Sequence, residues 1–240
     1  MAYASNPYDS PQFSVAAMAA ADERTGFICK TYLHLVGAIV ALVGLEAILL
    51  QTPFAPALIG LMVGSQYSWL IVLGLFMGVN WLANSWALSA TSLPKQYAGL
   101  GLYVVAQAVI LLPLLFFATT LPQYSGVVTS AAVSTLSLFV GLTAVVFITR
   151  KDFSFLRSAL MFGGFAAMGF IVCAVVFSFQ LGPIFTYVMI AFACCYILYD
   201  TSNVLHNYRI GQHVAASLAL FSSIVLLFWY VLRLLMSFRD

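Results

Sequence analysis

The chain has 240 residues, of which 63% are hydrophobic and only 7% charged, with a mean hydropathy of +1.05. A soluble domain carries roughly 25% charged residues, so this composition excludes one and points to a single integral membrane domain. A formal net charge of +2, with no Lys/Arg run beyond Arg150 and Lys151, argues against a nucleic-acid partner.

Residues 1–26 contain Asn6-Pro7, Asp9, Ser10-Pro11, Asp22, Glu23 and Arg24. No basic stretch there precedes an apolar core, so no cleavable signal peptide is expected. They read as a mobile cytoplasmic tail ahead of a transmembrane domain over 27–240. Seven apolar segments follow, at 28–50, 68–90, 97–120, 126–149, 155–179, 182–206 and 214–236. A bilayer core about 30 Å thick takes about 20 apolar residues per helical crossing, which each segment supplies. Arg24 and Lys30 flank the first segment, Lys95 lies between the second and third, Arg150, Lys151 and Arg157 surround the fourth-to-fifth turn, and Arg209 follows the sixth. The intervening connectors hold no Lys or Arg, so the positive-inside rule puts the amino terminus in the cytoplasm. Seven crossings then carry the carboxyl terminus outside, although Arg233 and Arg239 lie at that end. A last segment that re-enters and returns is the alternative.

The first external connector, QTPFAPALIGLMVGSQY, is too apolar for an ordinary loop and is broken by Pro53 and Pro56. It reads as a short helix lying along the interface. Tyr67, Trp69, Trp86, Trp229 and Tyr230 fall near span ends as aromatic anchors. Gly74 and Gly78 form a GxxxG on the second segment, and Gly163, Gly164 and Gly169 thin the fifth, which allows close helix packing. Pro113 removes a backbone hydrogen bond in mid-span. Cys29, Cys173, Cys194 and Cys195 lack metal or redox spacing and read as small buried hydrophobes.

Five ionisable residues fall inside or near the spans: His34, Glu46, Asp200, His206 and Arg233. At about 1.5 Å per residue, Glu46 lies about 25 Å from the cytoplasmic end, whereas His34 and Asp200 lie about 10 Å in. His34 alone is therefore at the right depth to partner Asp200. An acid at that depth costs a few kcal/mol against lipid, so Asp200 is expected to face protein, water or a partner. It is either satisfied by a neighbour such as Asn203, one turn on, or acts as a proton or cation site, because desolvation favours the neutral acid. His34 is either a bonded interior imidazole or a pH-responsive partner. Glu46 either snorkels to the outer interface or lines an exit path; Arg233 snorkels. His206 and His213 read as solvated.

No GxSxG, HExxH or P-loop occurs, so an enzyme is not expected, and no resident cofactor or metal is implied. The lysines, Lys30, Lys95 and Lys151, are absent from the last segment, which excludes a retinal Schiff base.

The stretch YILYDTSNV, Tyr196 to Val204, resembles the Bax inhibitor motif family, whose sixth helix ends in an ILYDT element. Lys30-Thr31-Tyr32, the run RKDFSFL from Arg150 to Leu156, and Leu232-Arg233-Leu234-Leu235 agree with it. The resemblance covers residues 27–236 and implies an all-α seven-helix bundle, two three-helix layers around a central last helix, of the type found in bacterial inner membranes. It also implies a pH-sensitive calcium leak governed by two aspartates. Asp200 matches the first; the second aligns with Ser223, and the family's asparagine with Leu226. A serine supplies only a neutral oxygen, so a diaspartyl switch is expected to be absent, with any pH response resting on Asp200 with His34 or a water. Weak, transient Ca²⁺ binding at Asp200 is the most a metal site would amount to. Some bacterial members bind a membrane-anchored quality-control protease, so a non-conducting interaction protein is the alternative, with the amino-terminal tail as handle. A secondary transporter would need broken helices, for which Pro113 is the sole candidate.

Overall fold

A computed structural model of the chain describes residues 15–65, 67–89 and 92–239. Its elements are α1 (Ala21–Gln51), α2 (Ala55–Val63), α3 (Ser68–Ala87), α4 (Leu93–Thr120), α5 (Val127–Thr149), α6 (Leu156–Val176), α7 (Pro183–His206) and α8 (His213–Ser237). All but α2 are long and apolar enough to cross a membrane. A spanning segment must satisfy its own backbone groups, which a continuous helix does. Proline within the first two positions starts α2, α4 and α7, where its missing N–H costs nothing. The left-handed residues Gly126 (φ 76°) and Arg150 (φ 50°) bound α5 and turn the chain at each end.

Two layers of three helices enclose α8. In one, α4 packs between α1 and α3; in the other, α7 packs between α5 and α6; α8 contacts α1, α3, α4, α5 and α7. Residues Ala215, Ala216 and Ser217 are buried in the first turn or so of α8, and Ser223 lies deeper along it. These short side chains let neighbouring backbones approach, the means by which helices associate without a hydrophobic driving force between them. Bulk enters where space allows, at Leu218, Leu220, Phe221, Leu227 and Leu232, all essentially inaccessible. The short helix expected in the first external connector is α2, whose Ala55 and Ile59 pack on Leu112 of α4. Trp69, opening α3, stacks on Trp229 of α8 with ring centroids 6.0 Å apart.

The structure corrects three expectations and decides one alternative. The tail does not extend to residue 26: α1 begins at Ala21, with Asp22 and Glu23 in its first turn, where acidic groups favour the helix dipole. Ahead of it Val15 pairs with Arg209, and the Ala16 N–H donates to the Tyr208 carbonyl at 2.8 Å, leaving Ala16 fully buried. Residues 1–14 of the expected tail lie outside the described residues. Second, α8 is continuous and does not re-enter. Arg233 donates to the Leu181 carbonyl between α6 and α7, and Arg239 to the carbonyls of Gln123 and Ser125 between α4 and α5. Both arginines therefore sit at the end of the bundle opposite the α7–α8 connector. Third, Gly74 and Gly78 face open space, whereas Gly99 of α4 lies so close to α3 that a Cβ would come within 2.6 Å of the Ala83 carbonyl oxygen and 2.8 Å of the Ala87 nitrogen. Gly163 does serve close packing, against Phe192 of α7. Fourth, Cys29 and Cys173 are exposed on the outer helix surface, and Cys194 and Cys195 are half-buried; all four are free thiols.

One connector fixes the end of α7. Ser202 is fully buried and its Oγ accepts from the Phe153 N–H at 2.9 Å, while Asp152 Oδ1 accepts from the Ser154 N–H at 2.8 Å. The RKDFSFL run and the ILYDTS run, more than forty residues apart in sequence, are thus hydrogen-bonded to each other.

Substitution Gly99→Ala should lower stability by about 1–3 kcal/mol, because backbone rather than a flexible side chain must yield. Gly101→Ala, which meets nothing within 4 Å, should leave the thermal midpoint unchanged or higher. Ser202→Ala orphans the Phe153 N–H and should cost about 1–3 kcal/mol, read as loss of amide protection at Phe153. The Ser154 backbone N–H holds the Asp152 carboxyl below the usual aspartate range. A carboxyl whose folded value is depressed stabilises fully above the unfolded value and loses that contribution as pH falls through the folded one. Protection of the Ser154 amide should therefore drop below about pH 4 and be insensitive to that change in Asp152→Asn.

Candidate functional site

The last turns of α7 carry polar residues at helical spacing: Asp200, Asn203 and, just past the helix, Asn207. These positions share one side of the helix. Asp200 is only 8% exposed and Ser223, on α8, only 3%, so the site lies between the central helix and its most extensive neighbour. The Ser223 hydroxyl donates to Asp200 Oδ2. The Ala219 carbonyl, 3.2 Å from the same hydroxyl, is a competing acceptor.

A hydroxyl has one hydrogen to give and can also accept. When Asp200 is ionised, Ser223 must donate to it. When Asp200 is protonated, the acid can donate to Ser223, whose hydrogen is then free for Ala219. The pair stays closed in both states but reverses its polarity, and only in the first does it hold a charge in a low-dielectric interior. Ser222, the next residue, continues the polar strip: Tyr103 of α4, 1% exposed, donates to its Oγ at 2.7 Å, and Gln107 donates to the Tyr103 hydroxyl at 2.9 Å. On the other side of α7 the Thr201 hydroxyl lies beside those of Tyr32 and Thr143 without a hydrogen bond among the described residues.

Toward the end of the bundle bearing the α7–α8 connector, a polar recess of about 360 Å³ is lined by Ser154, Arg157, Tyr199, Asn203, Asn207, Tyr208 and Gln212. It follows the α7 side that carries Asp200. Burial raises the Tyr208 phenol well above its ordinary value, and the nearby Asp200 carboxylate adds to this, so Tyr208 is a neutral donor or acceptor at the inner edge of the recess.

Of the residues singled out from sequence, Asp200 and Ser223 meet. Asn203 lines the recess and accepts from Asn207 at 2.8 Å instead of satisfying Asp200. His34 is not brought to Asp200: Nδ1 lies 2.6 Å from the Lys30 carbonyl, Nε2 lies 3.0 Å from the Tyr97 hydroxyl, and the ring sits 4.9 Å from that of His213. A shared depth does not imply a shared azimuth, and His34 lies at the junction of α1, α4 and α8. Glu46 does not snorkel. It is 5% exposed, with neither carboxylate oxygen bonded among the described residues, on the α1 side that also buries Leu35, Ala38 and Leu42. His206 is half-buried, with Nδ1 3.0 Å from the Ser202 carbonyl, and His213 is half-buried against His34, so neither is simply solvated. Sequence reasoning missed Tyr103, Gln107, Ser202 and Ser222. A mid-span glutamine four residues after a tyrosine was the available signal for the first two, since an amide in hydrocarbon needs a partner.

The chain matches the family described as Inhibitor of apoptosis-promoting Bax1 over residues 24–240. It is 31% identical over 163 residues to an uncharacterised Pseudomonas aeruginosa protein, PA2604, covering 67% of this chain and 69% of that one. It is 29% identical over 181 residues to Bax inhibitor 1 of Schizosaccharomyces pombe, covering 71% of this chain and 62% of the yeast protein. A BI1-like protein of Arabidopsis thaliana is 35% identical over 118 residues, 45% of this chain and 44% of the plant protein. No solved structure matches significantly. With its fold, its motifs and a match over nearly its whole length in agreement, this multi-pass membrane protein belongs to the Bax inhibitor family.

Proposed function

We propose that this chain is a pH-modulated cation leak of the Bax-inhibitor type, resting in a closed state, whose gating group is the single carboxylate of Asp200 rather than a pair. The amino terminus and the charged connectors face the cytoplasm, with the chain in a bacterial inner membrane. The observation that carries this reading is a buried acid hydrogen-bonded across to the central helix, with a polar recess beginning at its helix neighbours Tyr199 and Asn203. Calcium takes six to eight oxygen ligands, and one carboxylate with one hydroxyl supplies too few. An ion passing there keeps most of its water, which suits transit better than capture. Glu46 and the Tyr103–Gln107 pair are among the buried polar groups available beyond Asp200 for the rest of the crossing.

The sign of the pH response follows from charge. Ionised, Asp200 attracts a cation and strains toward hydration; protonated, it does neither. Flux through protein in calcium-indicator liposomes should rise with pH between about pH 5 and 8. Asp200→Asn, which keeps the shape, should flatten that rise, and flux with unaltered pH dependence would sink the proposal. Ser223→Asp places two carboxylates together and should steepen the response and strengthen calcium block.

The second reading, a non-conducting partner of a membrane-anchored quality-control protease, is supported by the closed packing around Asp200. Because Val15 and Ala16 belong to the fold, its test is removal of residues 1–14 alone: loss of protease association with flux unchanged favours the tail as handle.

A further inference from the structure

Away from Asp200, a groove of about 740 Å³ runs between α1 and α4, walled by Leu33, Gly37, Ala41 and Leu45 on one side and by Leu100, Gly101 and Val104 on the other. From His34 to Leu45 it extends about 16 Å along the helix. Glycine makes it: a Cβ at Gly37 or Gly101 would meet nothing within 4 Å. Leu33, Val36, Val40 and Val105 beside it are exposed on spanning helices, so the groove opens sideways into hydrocarbon.

Its end nearest the α7–α8 connector is polar. His34 and Tyr97 form the floor, joined by their 3.0 Å hydrogen bond, and the His213 ring lies 4.9 Å from that of His34, tilted by 57°. Lys30, exposed and one turn before His34, shares that side of α1. No carboxylate lines the groove. The acids of α1 nearest Lys30, Asp22 and Glu23, precede it by seven or eight residues, about 10–12 Å further along the helix, and Glu46, which follows Leu45, is buried at the other end of the groove. An apolar slot of this length, open to lipid and ending beside a lysine ammonium with no carboxylate in its lining, complements a molecule with a hydrocarbon tail and a negative head.

The geometry points to an anionic phospholipid bound in the α1–α4 groove, one acyl chain along Gly37 and Gly101 and its phosphate at the Lys30 ammonium beside the His34–Tyr97 end. The site is independent of what passes at Asp200. A lysine at a membrane surface favours an anionic lipid by about 1 kcal/mol, about a fivefold preference.

Native mass spectrometry of the purified full chain, titrated with phosphatidylglycerol or with phosphatidylcholine of the same chains, reads this preference. The wild type should retain phosphatidylglycerol about fivefold over phosphatidylcholine. Lys30→Gln should bring the ratio close to one while leaving phosphatidylcholine retention unchanged. Gly101→Leu fills the groove and should reduce retention of both lipids; Gly37→Leu does so from the opposite wall and serves if the first variant fails to fold. Equal retention by the wild type, an undiminished preference in Lys30→Gln, or full retention in a folded groove-filled variant overturns the site. Displacement of bound lipid by inorganic phosphate alone would also overturn it, since the acyl chain would then contribute nothing.

Discussion

A carboxylate buried among apolar helices is the constraint around which this bundle is arranged. Asp200 cannot be left to lipid, and an isolated charge in a low-dielectric interior costs far more than one hydrogen bond returns. The fold answers by setting Asp200 against the middle of α8, the one helix shielded from lipid by both layers. Ser223 supplies a donor there without adding a second charge. A hydroxyl tolerates either protonation state of its partner, and this keeps the closed packing compatible with an acid that titrates.

The same requirement explains the shape of α8. A helix that must touch five others needs short side chains where backbones approach, and its serines serve two purposes, packing small and satisfying polar neighbours. Ser223 meets Asp200, Ser222 meets Tyr103, and Ser217 turns back to the Val214 carbonyl. Away from these points large aliphatic residues fill the interior, so the polar strip is narrow and bounded by a dry core.

Much of this was legible in the sequence. Spans are set by hydrocarbon thickness and backbone satisfaction, and Ser68, Thr149, Pro183, His206 and His213 fall within one residue of the boundaries read from hydropathy. The meeting of Asp200 with Ser223 followed from the family resemblance, because composition alone does not specify which residues of two helices face each other. What stayed hidden was rotation about the helix axes. His34 and Asp200 were matched by depth yet turn to different neighbours, and Glu46, left between snorkelling and lining an exit path, turns inward. Tyr103, Ser202 and Ser222 are ordinary residue types whose roles exist only once distant segments meet. The extension of α1 to Ala21 was masked because its first turns are charged, a pattern that reads as tail until the docking of Ala16 on Tyr208 is seen.

Helix α6 stands apart from this tightly held core. It packs on α7 and leaves Phe162, Phe165 and Phe170 on the outer surface, yet its leading end brings Ser154 and Arg157 to the polar recess. A helix packed mainly on one protein neighbour has acyl chains against most of its surface, where they stand in for side chains at little cost. The wall of the recess is therefore the span with least protein around it, tied to α7 at its leading end by the Ser202–Phe153 hydrogen bond.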